Sequence, residues 1–319
     1  MIVRVNRAGL LTTVQDTGRW GYQGRGVPVA GPMDLFSHRL ANAMVGNDAN
    51  AATLEVTLMG PHLEFTDDRV VAVTGAEFED VPSGAAFRMS AAQALKFGAR
   101  RRGARAYVAI SGGIDVPVVL GSRATHLPSG MGGFEGRALK TGDELRLGLV
   151  DRERPATAFA KAPASLAEAE RRRKAGRYES IVGSATLRML PGPQVDKFVR
   201  GALDVLTSQP YRIHPDSNRV GYRLTGARLQ HAGGADIISD ATPIGSVQVP
   251  ASGEPILLMA DRQTTGGYAK IATVIAADLS LAGQLAPGDE IRFVVSSRDE
   301  ALEALRAQEH AIAAAAAVR

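Results

Sequence analysis

Asp16-Thr17-Gly18-Arg19-Trp20-Gly21-Tyr22 and, far along the chain, Asp216-Ser217-Asn218-Arg219-Val220-Gly221-Tyr222 share one pattern, Asp-x-x-Arg-x-Gly-Tyr. A second pair echoes it: Gly142-Asp143-Glu144-Leu145-Arg146-Leu147 and Gly288-Asp289-Glu290-Ile291-Arg292-Phe293. The order is the same in both halves: strand material, the Asp-x-x-Arg loop, short strands, then the Gly-Asp-Glu closure. Self-similarity kept in order marks a duplicated unit. The reading is two related β domains, residues 1–150 and 184–297. An Ala/Arg-rich linker over 151–183 joins them, and a helix over 298–319 follows.

Outward from these loops the punctuation is that of a mainly β protein with a few short helices. Thr53 to Leu58, His62 to Phe65, Val70 to Val73, Ala86 to Met89, Ala94 to Phe97 and Arg105 to Ile110 are short apolar runs bounded by Gly, Pro or Asp. Gln15 to Pro28 is a glycine-rich loop holding the only tryptophan. Long loops of this kind are usually functional, the plain alternative being turns that cover a barrel mouth. Its glycines lack the spacing and strand–helix frame of a dinucleotide fingerprint. Asp34, as N-cap or in the first turn, starts a helix whose apolar stripe is Leu35, Phe36, Leu40, Ala43 and Met44, and His38 on it reads as a surface or packing residue before a catalytic one. Arg100 to Arg105 reads as a basic turn, solvated first and a phosphate contact second. The linker carries a helix from Ser165 and the basic run Arg171 to Lys174. A further helix is expected near Val195 to Leu206, and Ser297-Arg298-Asp299-Glu300 is a capping box.

Composition narrows the function. A net charge of +4 with 5% aromatic residues argues against nucleic acid as partner. There is no cysteine, which removes thiolate metal sites and thiol nucleophiles and fits a reducing cytoplasm. The first residues have no signal-peptide plan, and the Ala311–Val318 tract is too short to span a membrane. The histidines at 38, 62, 126, 214, 231 and 310 are dispersed, so no metal site is expected. No Walker A loop, zinc-protease motif or nucleophile elbow is present. A chain this poor in stand-alone motifs is expected to share its active site with a partner.

The densest chemistry is Met259-Ala260-Asp261-Arg262-Gln263-Thr264-Thr265-Gly266-Gly267-Tyr268-Ala269-Lys270, between two apolar runs that read as strands. Gly266-Gly267 suits a tight turn whose N–H groups nest an anion. Tyr268 and Lys270 share a strand parity and are expected on one face. The alternative is a polar hairpin whose Thr and Asp side chains satisfy only the turn.

Several motifs together resemble one family. Gln15-Asp16-x-Gly18-Arg19-x-Gly21, Gly26-Val27-Pro28-x-x-Gly31-Pro32-Met33-Asp34, Ala41-Asn42-x-x-x-Gly46-Asn47, Glu55, Ser111-Gly112-Gly113, Ser122-Arg123-x-Thr125, Arg219-x-Gly221-x-Arg223-Leu224 and Asp261 to Tyr268 resemble the biotin-dependent carboxyltransferase subunit family. This is the KipA, or allophanate hydrolase subunit 2, group, which includes the C component of 5-oxoprolinase. Ala269 stands where that pattern has proline. The resemblance implies two tandem cyclophilin-like β-barrel domains and a heteromeric complex with a KipI-like B component and a LamB/YcsF-like A component. It implies ATP-dependent opening of 5-oxoproline to glutamate by the complex. The alternatives it carries are carboxyl transfer to urea or another amide, with biotin on a separate carrier, and a regulator that binds a KipI-like kinase inhibitor. No cofactor is expected to be bound covalently. On this reading Asp261 and Tyr268 are the acid–base candidates and Arg219 an anion clamp among the catalytic residues, the equal alternative for Asp261 being a carboxylate paired to a nearby arginine for structure. Gln15, Asp16, Arg19, Ser111, Arg123, Arg223, Gln263, Thr264, Thr265, Gly266, Gly267 and Lys270 are the substrate-binding candidates.

Overall fold

The computed structural model describes residues 1–150 and 183–317. The expected linker, with its helix from Ser165 and its basic run, lies outside the described residues except for Gly183. The chain divides into two compact units: Met1–Arg19 with Ala30–Gly176 and Ala307–Arg319, and Trp20–Val29 with Arg177–Arg306.

In the first unit, β1 (Ile2–Arg7) lies between β4 (His62–Phe65) and β9 (Glu144–Arg146), with β7 (Ala94–Lys96) outside β4. A five-stranded sheet runs β2 (Leu11–Gln15), β3 (Thr53–Thr57), β8 (Arg100–Ile110), β5 (Arg69–Phe78), β6 (Ala85–Met89), each pair antiparallel. Parity along β8 builds two packing layers. Ala106, Val108 and Ile110 join Val3, Val5, Leu63 and Phe65 in the core shared by both sheets. Tyr107 and Ala109, on the other face, pack with Phe36, Leu40 and Met44 of α1 (Leu35–Met44) and with Ile312 and Ala315 of the C-terminal helix. Asp34 caps α1 as expected, its carboxylate accepting from Ser37 N–H at 2.9 Å and from Ser37 Oγ–H at 2.7 Å. Arg100 to Arg105, expected as a turn, is the start of the long strand β8. Arg100 and Arg102 pair with Phe78 and Glu77 across a bulged register. The charge of the run hid an alternation that a strand edge tolerates.

The second unit is a closed barrel in the order β10 (Ser184–Pro191), β17 (Lys270–Val274), β14 (Ser246–Gln248), β15 (Ile256–Leu258), β12 (Gly221–Thr225), β11 (Tyr211–Ile213), β18 (Glu290–Val295). The parallel pairing of β18 with β10, from Ser184↔Glu290 to Met189↔Val295, closes it. Leu187, Ile213, Val247, Leu257, Ile271 and Phe293 are wholly buried, as inward positions of alternating strands should be. A two-stranded ribbon, β13 (Asp236–Ala241) with β16 (Thr265–Tyr268), is hydrogen-bonded separately. The helix expected near Val195 to Leu206 is broken. A single turn at Val195–Lys197 ends at extended Phe198, and α2 (Ala202–Ser208) starts only after Gly201 at φ 85°. α3 (Ala276–Gly283) takes over where the second apolar run ends. α4 (Arg298–Ala317) opens on the expected capping box, Ser297 N–H to Glu300 Oε2 at 2.8 Å and Glu300 N–H to Ser297 Oγ at 3.2 Å.

The Gly-Asp-Glu echo has one geometry in both halves. Gly142 and Gly288 stand at φ 94° and 92°. Asp143 accepts the Lys140 N–H at 2.7 Å and Asp289 the Ala286 N–H at 2.8 Å, each the residue three positions earlier. Each turn then delivers a strand beginning at Glu144 or Glu290.

Candidate functional site

The barrel strand β12 alternates cleanly. Tyr222 and Leu224 are buried, and the Tyr222 hydroxyl donates to the Ala282 and Leu285 carbonyls at 3.2 Å each. Arg223 between them faces away. It lines a cavity of about 550 Å³ with His214, Asp216, Glu254, Ile256 and Tyr268. The Arg223 backbone is fixed at both ends: its N–H donates to Ser217 Oγ at 3.0 Å and its carbonyl accepts the His214 N–H at 2.9 Å. Among the described residues its guanidinium has no ion-pair partner, so its planar fork is free for a carboxylate or phosphate. His214 Nδ1 accepts the Asp216 N–H at 3.2 Å and lies 3.5 Å from the Asp216 carboxylate. Tyr268 is 41% exposed. Arg223, His214 and Tyr268 thus line one space, together with the acidic Asp216 and Glu254.

The other residues of the dense stretch are placed differently. Arg219 and Asp261 form a buried bidentate pair, Nε to Oδ2 and Nη2 to Oδ1 at 2.9 Å each, and the Asp261 N–H donates to the Arg219 carbonyl at 2.8 Å. This pair braces the start of β12 against the loop after β15. Lys270 is buried and its Nζ lies 2.9 Å from Asp240 Oδ2, with Gln194 bonded to both residues. The bond to Lys270 holds the Asp240 carboxyl below its ordinary range.

Two expectations for this stretch are corrected. Tyr268 and Lys270 do not share a face: β16 ends at Tyr268 and β17 begins at Lys270, the buried Ala269 interrupts the parity, and Lys270 is 1% exposed. Gly266-Gly267 is not a turn with a nest. Both lie within β16, where Gly266 pairs with Asp240, and neither has a positive φ. Gly266 is needed instead for close approach, since a Cβ there would lie 2.6 Å from Gln248 Nε2. Gln263 Nε2 reaches Gln248 Oε1 at 3.3 Å. The Thr264 carbonyl accepts the Thr242 N–H at 3.1 Å, and Thr265 pairs with Ala241.

In the first unit, Gln15, Asp16 and Arg19 are wholly buried and serve the loop that follows β8. Gln15 Nε2 donates to the Thr125 carbonyl at 3.1 Å. Asp16 accepts Ser122 Oγ–H at 2.6 Å and the Arg123 N–H, and Arg19 donates to the Val119 and Ala124 carbonyls. Ser111 Oγ accepts the Val70 N–H at 3.1 Å, and Arg123 Nε donates to the Val116 carbonyl at 3.0 Å. These residues therefore meet around one loop, through bonds made inside the unit.

His214 and Glu254 were not singled out from the sequence. In the sequence His214 stands among dispersed histidines, although it lies just before the Asp216 loop that echoes the Asp16 loop. Arg262 was passed over too. It is buried, and burial pushes its pKa down to about 10. Among the described residues no cluster of metal-ligating side chains occurs, and no helix is long and apolar enough to cross a membrane.

A mainly β chain with this barrel, and with a cavity beside its strand β12, has clear relatives. Residues 25–295 match the model of the carboxyltransferase domain, subdomain A and B. The chain belongs to that family. It is 39% identical over 314 residues to the C component of the 5-oxoprolinase of Escherichia coli (strain K12), covering 97% of this chain and 96% of that protein. It is also 32% identical to the urea amidolyase of Saccharomyces cerevisiae, covering 97% of this chain but 17% of that protein. The crystal structure of the K. lactis urea amidolyase superposes with a TM-score of 0.86 at 32% identity, over 98% of this chain and 20% of that one. The chain thus spans about a fifth of the urea enzymes it resembles, and nearly all of the 5-oxoprolinase component.

Proposed function

We propose that this chain is the C component of an ATP-dependent 5-oxoprolinase that opens 5-oxo-L-proline to L-glutamate together with its A and B components. The observation that carries the reading is the end-to-end match to the 5-oxoprolinase C component, 97% of one chain against 96% of the other. On this reading the chain is part of a cytoplasmic assembly, with a KipI-like B component and a LamB/YcsF-like A component. ATP is a co-substrate of the whole assembly. A lactam is a poor electrophile, and phosphoryl transfer to its oxygen opens the ring carbon to water. This chain's part is to hold charge and to position groups, which is where most rate enhancement of such reactions arises. Arg223 holds an anion in the cavity on β12. Tyr268 and His214 are the groups beside it able to donate or accept a proton. Arg219 and Asp261 act as the brace that fixes β12.

A second reading is a carboxyltransferase component of a urea or amide carboxylase. It is supported by the 32% identity to urea amidolyase across 97% of this chain. The carboxyl carrier is then a separate protein.

The test is glutamate release from 5-oxoproline and ATP by the three components of one organism, with each omitted in turn. Activity that needs this chain upholds the proposal. No release from any combination, with the B component bound, removes it and turns attention to carboxyl transfer.

A further inference from the structure

Among the described residues Arg262 is a cation without a counter-ion. Its side chain is buried, and its guanidinium donates only to backbone carbonyls, Nε to Thr242 at 2.7 Å and Nη1 to Met259 at 3.5 Å. Among the described residues no carboxylate pairs with it. The adjacent Asp261 is committed, both oxygens being taken by Arg219. An arginine held for structure alone is normally given an acid, because an unpaired buried charge is costly. The downward shift of Arg262 has burial as its one cause, as expected of a guanidinium with no anion beside it.

A second, independent observation lies on the turn that Arg262 grips. Ser246 is wholly buried, and among the described residues its Oγ has no hydrogen-bond partner. The turn is closed by the Ser246 N–H on the Pro243 carbonyl at 3.2 Å. It is tied to the Arg262 loop by Thr242, whose hydroxyl donates to the Gln263 carbonyl. Two side-chain amides are held loosely nearby: Gln248 Nε2 reaches the Tyr268 carbonyl only at 3.5 Å, and Gln263 Nε2 reaches Gln248 at 3.3 Å. Gly266 keeps β16 free of a Cβ against both amides, at 2.6 and 3.4 Å. The set is rich in donors and holds no acid.

We propose that Arg262, with Ser246 Oγ, forms a carboxylate subsite under the Thr242–Ser246 turn. The end of the guanidinium not used by Thr242 presents paired N–H groups matching the two oxygens of a carboxylate, and the serine hydroxyl supplies one further donor. Two sources share this chemistry: the ring carboxylate of a lactam acid, and a carboxyl group in transit as bicarbonate or its carrier-bound form. The identity of the lactam rests on the proposed function, whereas the subsite itself does not.

The test is carboxylate-dependent thermal stabilisation of the full chain, alone and in the three-component assembly. The probes are formate, bicarbonate, 5-oxoproline, 2-pyrrolidinone and inorganic phosphate, since a ligand that binds only the native state raises its midpoint. Carboxylates are expected to stabilise the wild type and 2-pyrrolidinone, the same ring without a carboxylate, is not. Arg262→Gln weakens the apparent affinity by about thirtyfold or more, and Ser246→Ala by about fivefold. Bicarbonate binding without 5-oxoproline binding assigns the group in transit, and the converse assigns the lactam acid. Should Arg262→Gln fail to fold, Ser246→Ala and Arg262→Lys decide, and wild-type carboxylate affinity in both overturns the subsite. It is equally overturned if 2-pyrrolidinone matches 5-oxoproline, if phosphate alone binds, or if no carboxylate stabilises either the chain or the assembly. Arg262-dependent binding without glutamate release removes the proposed function and leaves the subsite. Glutamate release with no such binding does the reverse.

Discussion

Among the described residues, three buried cations of the second unit are treated in three ways: Arg219 is closed by a bidentate carboxylate, Lys270 meets a half-exposed one, and Arg262 meets none. The first arrangement predicts a structural penalty. Asp261→Asn or Arg219→Ala leaves a buried partner uncompensated and is expected to cost about 3–5 kcal/mol of stability, read from urea midpoints. An unchanged midpoint with lost turnover would instead make Asp261 a reacting group. His38 gives a prediction in pH. It is wholly buried, its Nδ1 is 2.9 Å from Thr53 Oγ1, and burial pulls its pKa from 6.5 to about 4. Its folded value lies below its unfolded one, so across that window the unfolded chain binds a proton that the native chain refuses. Stability therefore falls as pH drops from 6.5 to about 4, by about 3 kcal/mol in all. His38→Gln flattens that slope in urea titrations across the window, and an unaltered slope refutes the assignment. The sequence leaves His38 open between surface and packing, and the structure buries it. A structural pairing of Asp261 with an arginine was legible, but not that the partner is Arg219, because residues 42 positions apart meet only through the barrel.

Elements were read best where local chemistry alone decides them. The Asp34 cap, the Ser297–Glu300 box and the Gly142 and Gly288 turns all stand as the sequence implies. Reading failed where tertiary partners intervene. Arg100 to Arg105 became strand because Glu77 and Phe78 lie across from it, and Gly266-Gly267 became strand because β13 pairs with it. The loop after β8 makes the clearest element-level prediction. Gly132 stands at φ 70°, and a Cβ there would sit 2.2 Å from the Ala124 carbonyl oxygen and 2.6 Å from Arg19 Nη2. Gly132→Ala is expected to cost about 2 kcal/mol or more, combining left-handed strain with a backbone clash. It should raise hydrogen exchange at residues 122–133 before any other segment. Gly121, with open space around its own missing Cβ, is the control and should cost less.

At the scale of the whole chain, two short echoes point to a duplication. The Gly-Asp-Glu turns keep one dihedral and one hydrogen bond in both halves, whereas in the other echo Asp16 is buried and Asp216 exposed. What they could not convey is where the last helix ends up. Ile312 and Ala315 are buried in the cluster that also holds Leu40 and Tyr107, and Arg39 pairs with Glu309. A chain ending at Arg306 is therefore expected to lose about 2–3 kcal/mol, chiefly the burial of Ile312. Thermal unfolding of the truncated chain checks this, and an unchanged midpoint refutes it. The parallel pairing of β10 with β18 bears on synthesis as well as on form. The first and last strands of the barrel are neighbours, so a nascent chain must hold the edge of β10 open until the ribosome has delivered Val295. Such high contact order makes folding slow and leaves sticky edges exposed meanwhile. The second half accordingly folds only once Val295 has emerged, and its soluble yield should respond to chaperone supply.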